Sequence, residues 1–162
     1  MQVKKGYKDL VAAAEAEIET ISTDDALKLH GSDDVIFIDL RDVRELWHDG
    51  KIAGARHVPR GMLEFWIDPE SPYHKPLFTE EKKFVFYCNL GWRSALAAQV
   101  SQQMGLANVC HIGGGFDGWV KAGGVVEEVS GDLGDLADEA TIRKKMTEMM
   151  ALAKTQIMEE AD

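Results

Sequence analysis

Mainly apolar runs along the middle of the chain mark candidate strands. Val35 to Leu40 reads VIFIDL, Phe84 to Tyr87 reads FVFY, and a third run extends from Asn108 to Ile112. Runs of β-branched and aromatic residues with little polar interruption are typical of strands that are buried on both faces of a parallel sheet. We therefore predict three buried strands in this part of the chain.

Amphipathic stretches lie at both ends of the chain. From Tyr7 to Ile21, apolar residues recur every three or four positions, which predicts a helix with one apolar face. Packing of this helix on its own domain is favoured over binding to a partner. Near the other end, apolar residues at helical spacing form a stripe rich in methionine, an adaptable side chain suited to core packing or self-association. The stripe comprises Ile142, Met146, Met149, Met150, Ala153 and Ile157.

Cys88 follows the FVFY strand and precedes a short loop and a helix. The helix is predicted from apolar residues at helical spacing, and Gly105 marks its end. The free N–H groups and positive dipole end of a helix N-terminus favour an anion. A helix N-terminus and a neighbouring arginine lower the pKa of a cysteine thiol, and Arg93 is the cation within this loop. Cys88 is thus either a nucleophilic thiolate or a buried structural cysteine.

Length, charge and cysteine content narrow the class of protein. A chain of 162 residues suits one domain with extensions. The net charge of -10 argues against a general nucleic-acid binder. We expect no secretory signal and no membrane span, because no apolar run is long enough. Two cysteines form no disulfide framework or metal-site spacing, so a cytoplasmic protein without a metal is predicted.

The loop CNLGWRS carries the pattern CxxGxR, which resembles the active-site loop of the rhodanese sulfurtransferase family. The resemblance extends over four further blocks in the family's order: STDDALKL from Ser22, VIFIDLRDVREL, GKIAGARHVPRG and NVCHIGGGFDGWVKAGG, which ends at Gly124. It implies a doubly wound α/β fold, with a parallel sheet of about five strands and helices on both faces. We assign this rhodanese-like domain to residues 22–126, with helical extensions at residues 1–21 and 127–162.

The resemblance also implies a sulfurtransferase. Cys88 would take sulfane sulfur from a small donor, hold it as a persulfide, and pass it to cyanide, a small thiol or a partner protein's cysteine, without a cofactor. Asp39 and Arg41 resemble the family's Asp-x-Arg, which supports the site by hydrogen bonds and ion pairs. The persulfide would be held by a loop of converging N–H groups. This loop consists of Asn89, Leu90, Gly91, Trp92, Arg93 and Ser94.

Three other functions are weighed against this one. Related phosphatases place five residues between the cysteine and the arginine, whereas this loop has four, so a phosphatase is disfavoured. A non-enzymatic sulfur-carrier or regulatory module could have an identical loop. A thiol–disulfide exchange protein is the least favoured, because no second cysteine lies near Cys88 in the sequence. Cys110 is expected to be a small apolar core residue, with a resolving thiol as the minor alternative.

Several side chains outside the loop remain open to two interpretations. His57 is interpreted as a structural histidine and not as a general base. Phe65 and Trp66 either lie near the catalytic rim or belong to the core, with Tyr73 and His74 then in solvent.

The loop has one cation beside apolar Leu90 and Trp92, so we expect thiosulfate to be a poor donor unless Arg60 or Lys75 reaches the rim. A homodimer through the terminal helices is a further expectation.

Overall fold

The computed structural model describes residues 1–130, 143–144 and 146–151 of the chain. The helices are α1 (Tyr7–Glu15), α2 (Thr23–Leu29), α3 (Val43–Asp49), α4 (Leu63–Ile67), α5 (Trp92–Gln103) and α6 (Gly115–Lys121). The strands are β1 (Glu19–Ile21), β2 (Val35–Asp39), β3 (Lys51–Ile52), β4 (Arg56–His57), β5 (Lys83–Tyr87), β6 (Val109–Ile112) and β7 (Val126–Glu127). None of the described helices is long and apolar enough to cross a membrane.

A five-stranded sheet with the order β1-β6-β5-β2-β4 forms the centre of the fold, and every neighbouring pair in it is parallel. Strand β5 is central, and its side chains alternate between two cores. Val85 and Tyr87 pack on one face with Trp119 of α6, while Phe84 and Phe86 pack on the other with residues of α4 and α5. This confirms the predicted α/β fold, and it explains why FVFY carries no polar residue.

The helix predicted over Tyr7 to Ile21 is wrong in its last part. Helix α1 ends at Glu15, and Glu19–Ile21 instead form edge strand β1, which pairs with β6. The β-branched residues Thr20 and Ile21 suit this strand, and pairing with β6 buries Ile21 against the sheet. Helix α1 packs on its own domain, where Val11 and Ala14 contact Ala95 of α5.

The segment between β4 and β5 contains the aromatic residues whose burial the sequence did not decide. Trp66 is buried in the core, whereas the neighbouring Phe65 is exposed. Tyr73 is half-buried, its ring packs against that of Phe65, and its hydroxyl donates a hydrogen bond to Met146 Sδ at 2.8 Å. Each of the two interpretations therefore holds for only part of this segment.

The methionine stripe near the C-terminus is described only in part. Residues 143–144 and 146–151 are helical; Met146 is half-buried, while Met149 and Met150 are exposed. Ile142, Ala153 and Ile157, which complete the predicted stripe, lie outside the described residues.

Candidate active site

Cys88 is the first residue after β5, at the carboxyl edge of the sheet, and only 1% of its surface is exposed. The chain turns from strand to helix through Gly91, which precedes α5 with φ of +87°. A side chain at Gly91 would be strained in this left-handed conformation, and its Cβ would lie 2.5 Å from the Gly113 carbonyl oxygen. Glycine is therefore needed for both the turn and the close approach.

The start of α6 holds the other side of the loop. The Phe116 N–H donates to the Cys88 carbonyl at 2.8 Å, and the Asp117 N–H donates to the Asn89 carbonyl at 3.2 Å. Gly115 has φ of +60°, and a Cβ at this position would clash with the Asn89 carbonyl. The first turn of α6 thus binds the loop carbonyls and fixes the orientation of the loop.

Three groups lie around the Cys88 sulfur. The Gly91 N–H donates to Sγ at 3.2 Å, the Ser94 hydroxyl lies 3.6 Å from Sγ, and the Arg93 guanidinium is close enough for the Cys88 side chain to help raise the pKa of Arg93. All three come from the loop that the sequence assigned to persulfide binding. The arrangement can stabilise a sulfur anion, because each group is able to donate a hydrogen bond.

Arg93 is also paired with a carboxylate. Its guanidinium donates to both carboxylate oxygens of Glu45 on α3, at 2.7 and 2.9 Å. The hydrogen bonds that Arg93 donates to Glu45 are the largest cause of the raised pKa of Arg93, and the same bonds lower the pKa of Glu45. The loop cation that the sequence predicted is therefore largely neutralised by Glu45.

A chain of hydrogen-bonding groups extends from the cysteine through the interior to Thr20 on β1. The Ser94 hydroxyl lies 2.9 Å from Nδ1 of His111, and Nε2 of His111 lies 2.9 Å from the hydroxyl of Thr20. His111 is fully buried on β6, and burial lowers the pKa of its imidazole to about 4. The imidazole is therefore neutral at physiological pH.

A small pocket of about 170 Å³ opens at the cysteine and is lined by Cys88, Asn89, Leu90, Trp92 and Arg93. Leu90 and Trp92 are each 49% exposed, so the mouth of the pocket is largely apolar. The side chains of Arg60 and Lys75 are engaged elsewhere: Arg60 pairs with Glu64 at 2.6 Å, and Lys75 lies 5.1 Å from the centroid of the Trp66 ring.

Asp39 and Arg41 form a completely buried ion pair behind the site. The Arg41 guanidinium donates to Asp39 through Nε and Nη2, the shortest bond being 2.8 Å, and Nη2 also donates to the Gly50 carbonyl at 2.7 Å. The guanidinium carbon lies 4.0 Å from the centroid of the Phe116 ring. His57 Nε2 is within hydrogen-bond distance of the Arg41 carbonyl at 2.8 Å, which fits a structural histidine.

Cys110 has a different environment from Cys88. It is fully buried on β6 in the apolar core, and burial raises the pKa of its thiol to about 12. It is therefore protonated at physiological pH and fits the interpretation of a small core residue. Both cysteines are free thiols.

Three residues near the site were not predicted from the sequence: Glu45, His111 and Thr20. Two of them had a local signal. Glu45 stands at the third position of α3, where it completes a capping box with Asp42, and His111 is a polar residue within an apolar strand. Thr20 had no local signal, because the sequence pattern predicts a helix over Tyr7 to Ile21.

Residues 22–122 match the family model described as Rhodanese-like domain. A solved structure from Rhodopseudomonas palustris, described as a protein of unknown function and possible tyrosine phosphatase, is 54% identical and has a TM-score of 0.77. The alignment covers 78% of this chain and 98% of the chain from Rhodopseudomonas palustris. The polysulfide-sulfur transferase homodimer of Wolinella succinogenes is 30% identical with a TM-score of 0.58, covering 78% of this chain and 90% of its own.

A mouse relative, thiosulfate sulfurtransferase/rhodanese-like domain-containing protein 3, is 28% identical over 97 residues. The match includes 57% of this chain and 62% of the mouse protein. The chain thus spans less than two thirds of the length of this relative.

Proposed function

Because this chain belongs to the rhodanese-like domain family, we propose that it is a sulfurtransferase that carries sulfane sulfur as a persulfide on Cys88. The contact that supports this proposal most directly is the hydrogen bond from the Gly91 N–H to Sγ. The donor lies in the turn at a helix N-terminus and points at a buried sulfur atom, which borders a small pocket. Such a donor stabilises an anion on sulfur in both the free and the loaded enzyme.

The proposed reaction has two displacement steps. In the first, the Cys88 thiolate attacks the outer sulfur of the donor, the bond from that sulfur to the rest of the donor breaks, and the leaving group departs with the electron pair. In the second, an acceptor thiolate or cyanide attacks the outer sulfur of the persulfide, and Cys88 leaves as a thiolate again. No net oxidation of the protein occurs, and no cofactor is required.

The charge of the pocket suggests which donors are used. Thiosulfate concentrates two negative charges on one small ion, whereas an organic or protein persulfide spreads its charge and offers apolar surface. Glu45 cancels much of the positive field of Arg93, and Leu90 and Trp92 present apolar surface at the mouth. We infer a preference for an organic persulfide or a partner protein's cysteine persulfide.

We expect a lower kcat/KM for thiosulfate than for glutathione persulfide, and an increase for thiosulfate in Glu45→Gln. Glutamine preserves the capping box but releases Arg93. At about 7 Å in water, a unit charge changes the energy of a dianion by roughly 1 kcal/mol, which corresponds to a change of about fivefold to tenfold in kcat/KM. Steady-state kinetics with both donors at matched ionic strength measures this effect.

Glu64→Gln is the matched control, because it makes the same change in total charge and releases Arg60 outside the residues that line the pocket. It should leave the donor preference of the wild-type protein nearly unchanged. A higher wild-type kcat/KM for thiosulfate than for glutathione persulfide would contradict the charge argument.

A phosphatase is the second candidate, because the relative from Rhodopseudomonas palustris is described as a possible tyrosine phosphatase. Two features of this chain oppose it: the loop has four residues between Cys88 and Arg93, and the positive charge that would bind a phosphate is largely neutralised, because the Arg93 guanidinium is bound to Glu45. A non-enzymatic sulfur carrier remains the other alternative. Intact-protein mass spectrometry after incubation with each donor, combined with a para-nitrophenyl phosphate assay, separates the three functions.

A sulfurtransferase gains one sulfur atom on Cys88, loses it to an added thiol repeatedly, and releases no phosphate. A carrier gains the sulfur but turns over no more than once, and a phosphatase hydrolyses the phosphate ester. Loss of the added sulfur in multiple turnovers therefore decides for an enzyme.

The two free cysteines fit a cytoplasmic location, where thiols stay reduced.

We also propose a homodimer held by the terminal extensions, which fits the exposed Met149 and Met150 and the homodimer named for the Wolinella succinogenes relative. Deletion of residues 132–162 should lower the molecular mass in solution from that of a dimer to that of a monomer. Light scattering measures this change. If the full chain is already monomeric, or if the deletion leaves a dimer, the proposal is wrong.

A further inference from the structure

The hydrogen-bonded chain behind Cys88 leads from a buried sulfur to the protein surface. It consists of Cys88, Ser94, His111 and Thr20, with separations of 3.6, 2.9 and 2.9 Å between the interacting atoms. Cys88, Ser94 and His111 have at most 1% of their surface exposed, whereas Thr20 is exposed on edge strand β1. The chain thus connects the sulfur to solvent by a route separate from the donor pocket.

Every interior member of this chain can both donate and accept a hydrogen bond. A serine hydroxyl does so by rotation, and a neutral imidazole does so by carrying its proton on one nitrogen or the other. Two complete arrangements are therefore possible. In the outward arrangement, the thiol donates to Ser94, Ser94 donates to Nδ1 of His111, and Nε2–H donates to Thr20. In the inward arrangement, every donor becomes an acceptor, and Ser94 donates to a sulfur anion.

We infer that His111 is a tautomeric switch. It couples deprotonation of Cys88 to release of a proton at the protein surface, through Ser94 and Thr20. The S–H bond of Cys88 breaks as its proton passes to Ser94 Oγ, and the serine proton passes to Nδ1. The Nε2 proton passes to Thr20, and the proton of Thr20 passes to water. The net result is one proton released to solvent and one thiolate formed, with His111 neutral before and after. This inference rests on the proposed function, because it describes how Cys88 becomes a nucleophile.

Burial of His111 suits this role. Because desolvation lowers the pKa of its imidazole to about 4, the ring has one proton to move between its two nitrogens at physiological pH, and no charged form is needed. The charged groups near the two ends are paired already: Arg93 with Glu45 near the sulfur, and Lys83 with Glu19 beside Thr20. The thiol of Cys110, next to His111 on β6, stays protonated.

Because His111 acts through Ser94, it is a positioning residue, and its tautomer can be observed directly. Nitrogen NMR of histidine-labelled protein, recorded across the pH range in which Cys88 becomes reactive to iodoacetamide, should show His111 changing from the Nε2–H to the Nδ1–H form. Cys88→Ser should abolish the change. If His111 keeps one tautomer throughout the ionisation of Cys88, the inference is overturned.

A kinetic experiment tests the surface end of the chain. Thr20→Val keeps the β-branched shape but removes the hydroxyl, whereas Thr20→Ser keeps the hydroxyl. In Thr20→Val, the rate of persulfide formation at saturating glutathione persulfide should fall at least about tenfold at a pH where Cys88 starts as the thiol. It should match wild type at a pH where Cys88 starts ionised, and Thr20→Ser should match wild type at both.

The outcomes separate the two proposals. If the wild-type protein forms no persulfide with either donor, the proposed function fails, and the NMR experiment still decides whether the switch exists. Equal slowing of Thr20→Val at both pH values would indicate a structural role for Thr20, and would overturn the proton route.

Discussion

Replacement of Cys88 by serine should abolish sulfur transfer while the protein stays folded. A serine hydroxyl has nearly the same shape as the thiol, but it is a far weaker nucleophile at neutral pH and cannot hold a sulfane sulfur. The Gly91 N–H and Ser94, which contact Sγ, can hydrogen-bond the new hydroxyl, so the buried oxygen is not left unsatisfied. We expect kcat/KM for glutathione persulfide to fall by at least about 1,000-fold.

Cys110→Ser provides the control, because it introduces the same substitution at a buried thiol that lies in the apolar core on β6. It should lower stability by about 1–3 kcal/mol, since its hydroxyl lies among apolar residues, but it should retain sulfur transfer in the folded protein. Activity is therefore measured at a temperature at which circular dichroism shows both variants folded. The opposite pattern, with Cys88→Ser active and Cys110→Ser inactive, would refute the assignment of the nucleophile.

The features that the sequence predicted well are local in the chain. The buried strands β2 and β5 follow from apolar runs, and the segment from Cys88 to Ser94 leads from a strand through a glycine turn into the first turn of a helix. Their main determinants are residues within one segment. Apolar pattern and spacing were therefore sufficient to predict these elements, and the family resemblance supplied the fold and the role of the loop.

The features that the sequence missed depend on distant contacts. Strand β1 is stabilised by pairing with β6, and Thr20 lies 91 residues from the histidine that it contacts. Glu45 reaches Arg93 across 48 residues, so the sequence showed the cation of the loop but not the carboxylate that neutralises it. In each case the missing information is a tertiary contact, which hydrophobic periodicity does not encode.

Substitution of either partner of the Asp39–Arg41 pair should strongly destabilise the fold. Both side chains are completely buried, and Asp39 accepts hydrogen bonds from the guanidinium and from the Arg41 backbone N–H. Asp39→Asn keeps the shape but leaves the guanidinium charge uncompensated in the interior. Removal of one partner from a buried pair typically costs about 3–5 kcal/mol, a large part of the roughly 5–15 kcal/mol that stabilises a domain.

Urea unfolding measures the effect, and at a slope of about 1–3 kcal/mol per molar urea the midpoint of Asp39→Asn should fall by about 2 M. Asp42→Asn is the matched control, because Asp42 pairs with Arg44 at the surface and caps α3, a role that asparagine fills equally well. Its midpoint should remain close to that of wild type. If the two variants unfold at the same urea concentration, the buried pair does not stabilise the edge of the sheet from which the Cys88 loop emerges. If Asp39→Asn is destabilised as expected but keeps its activity per folded molecule, the pair supports the fold and takes no part in sulfur transfer.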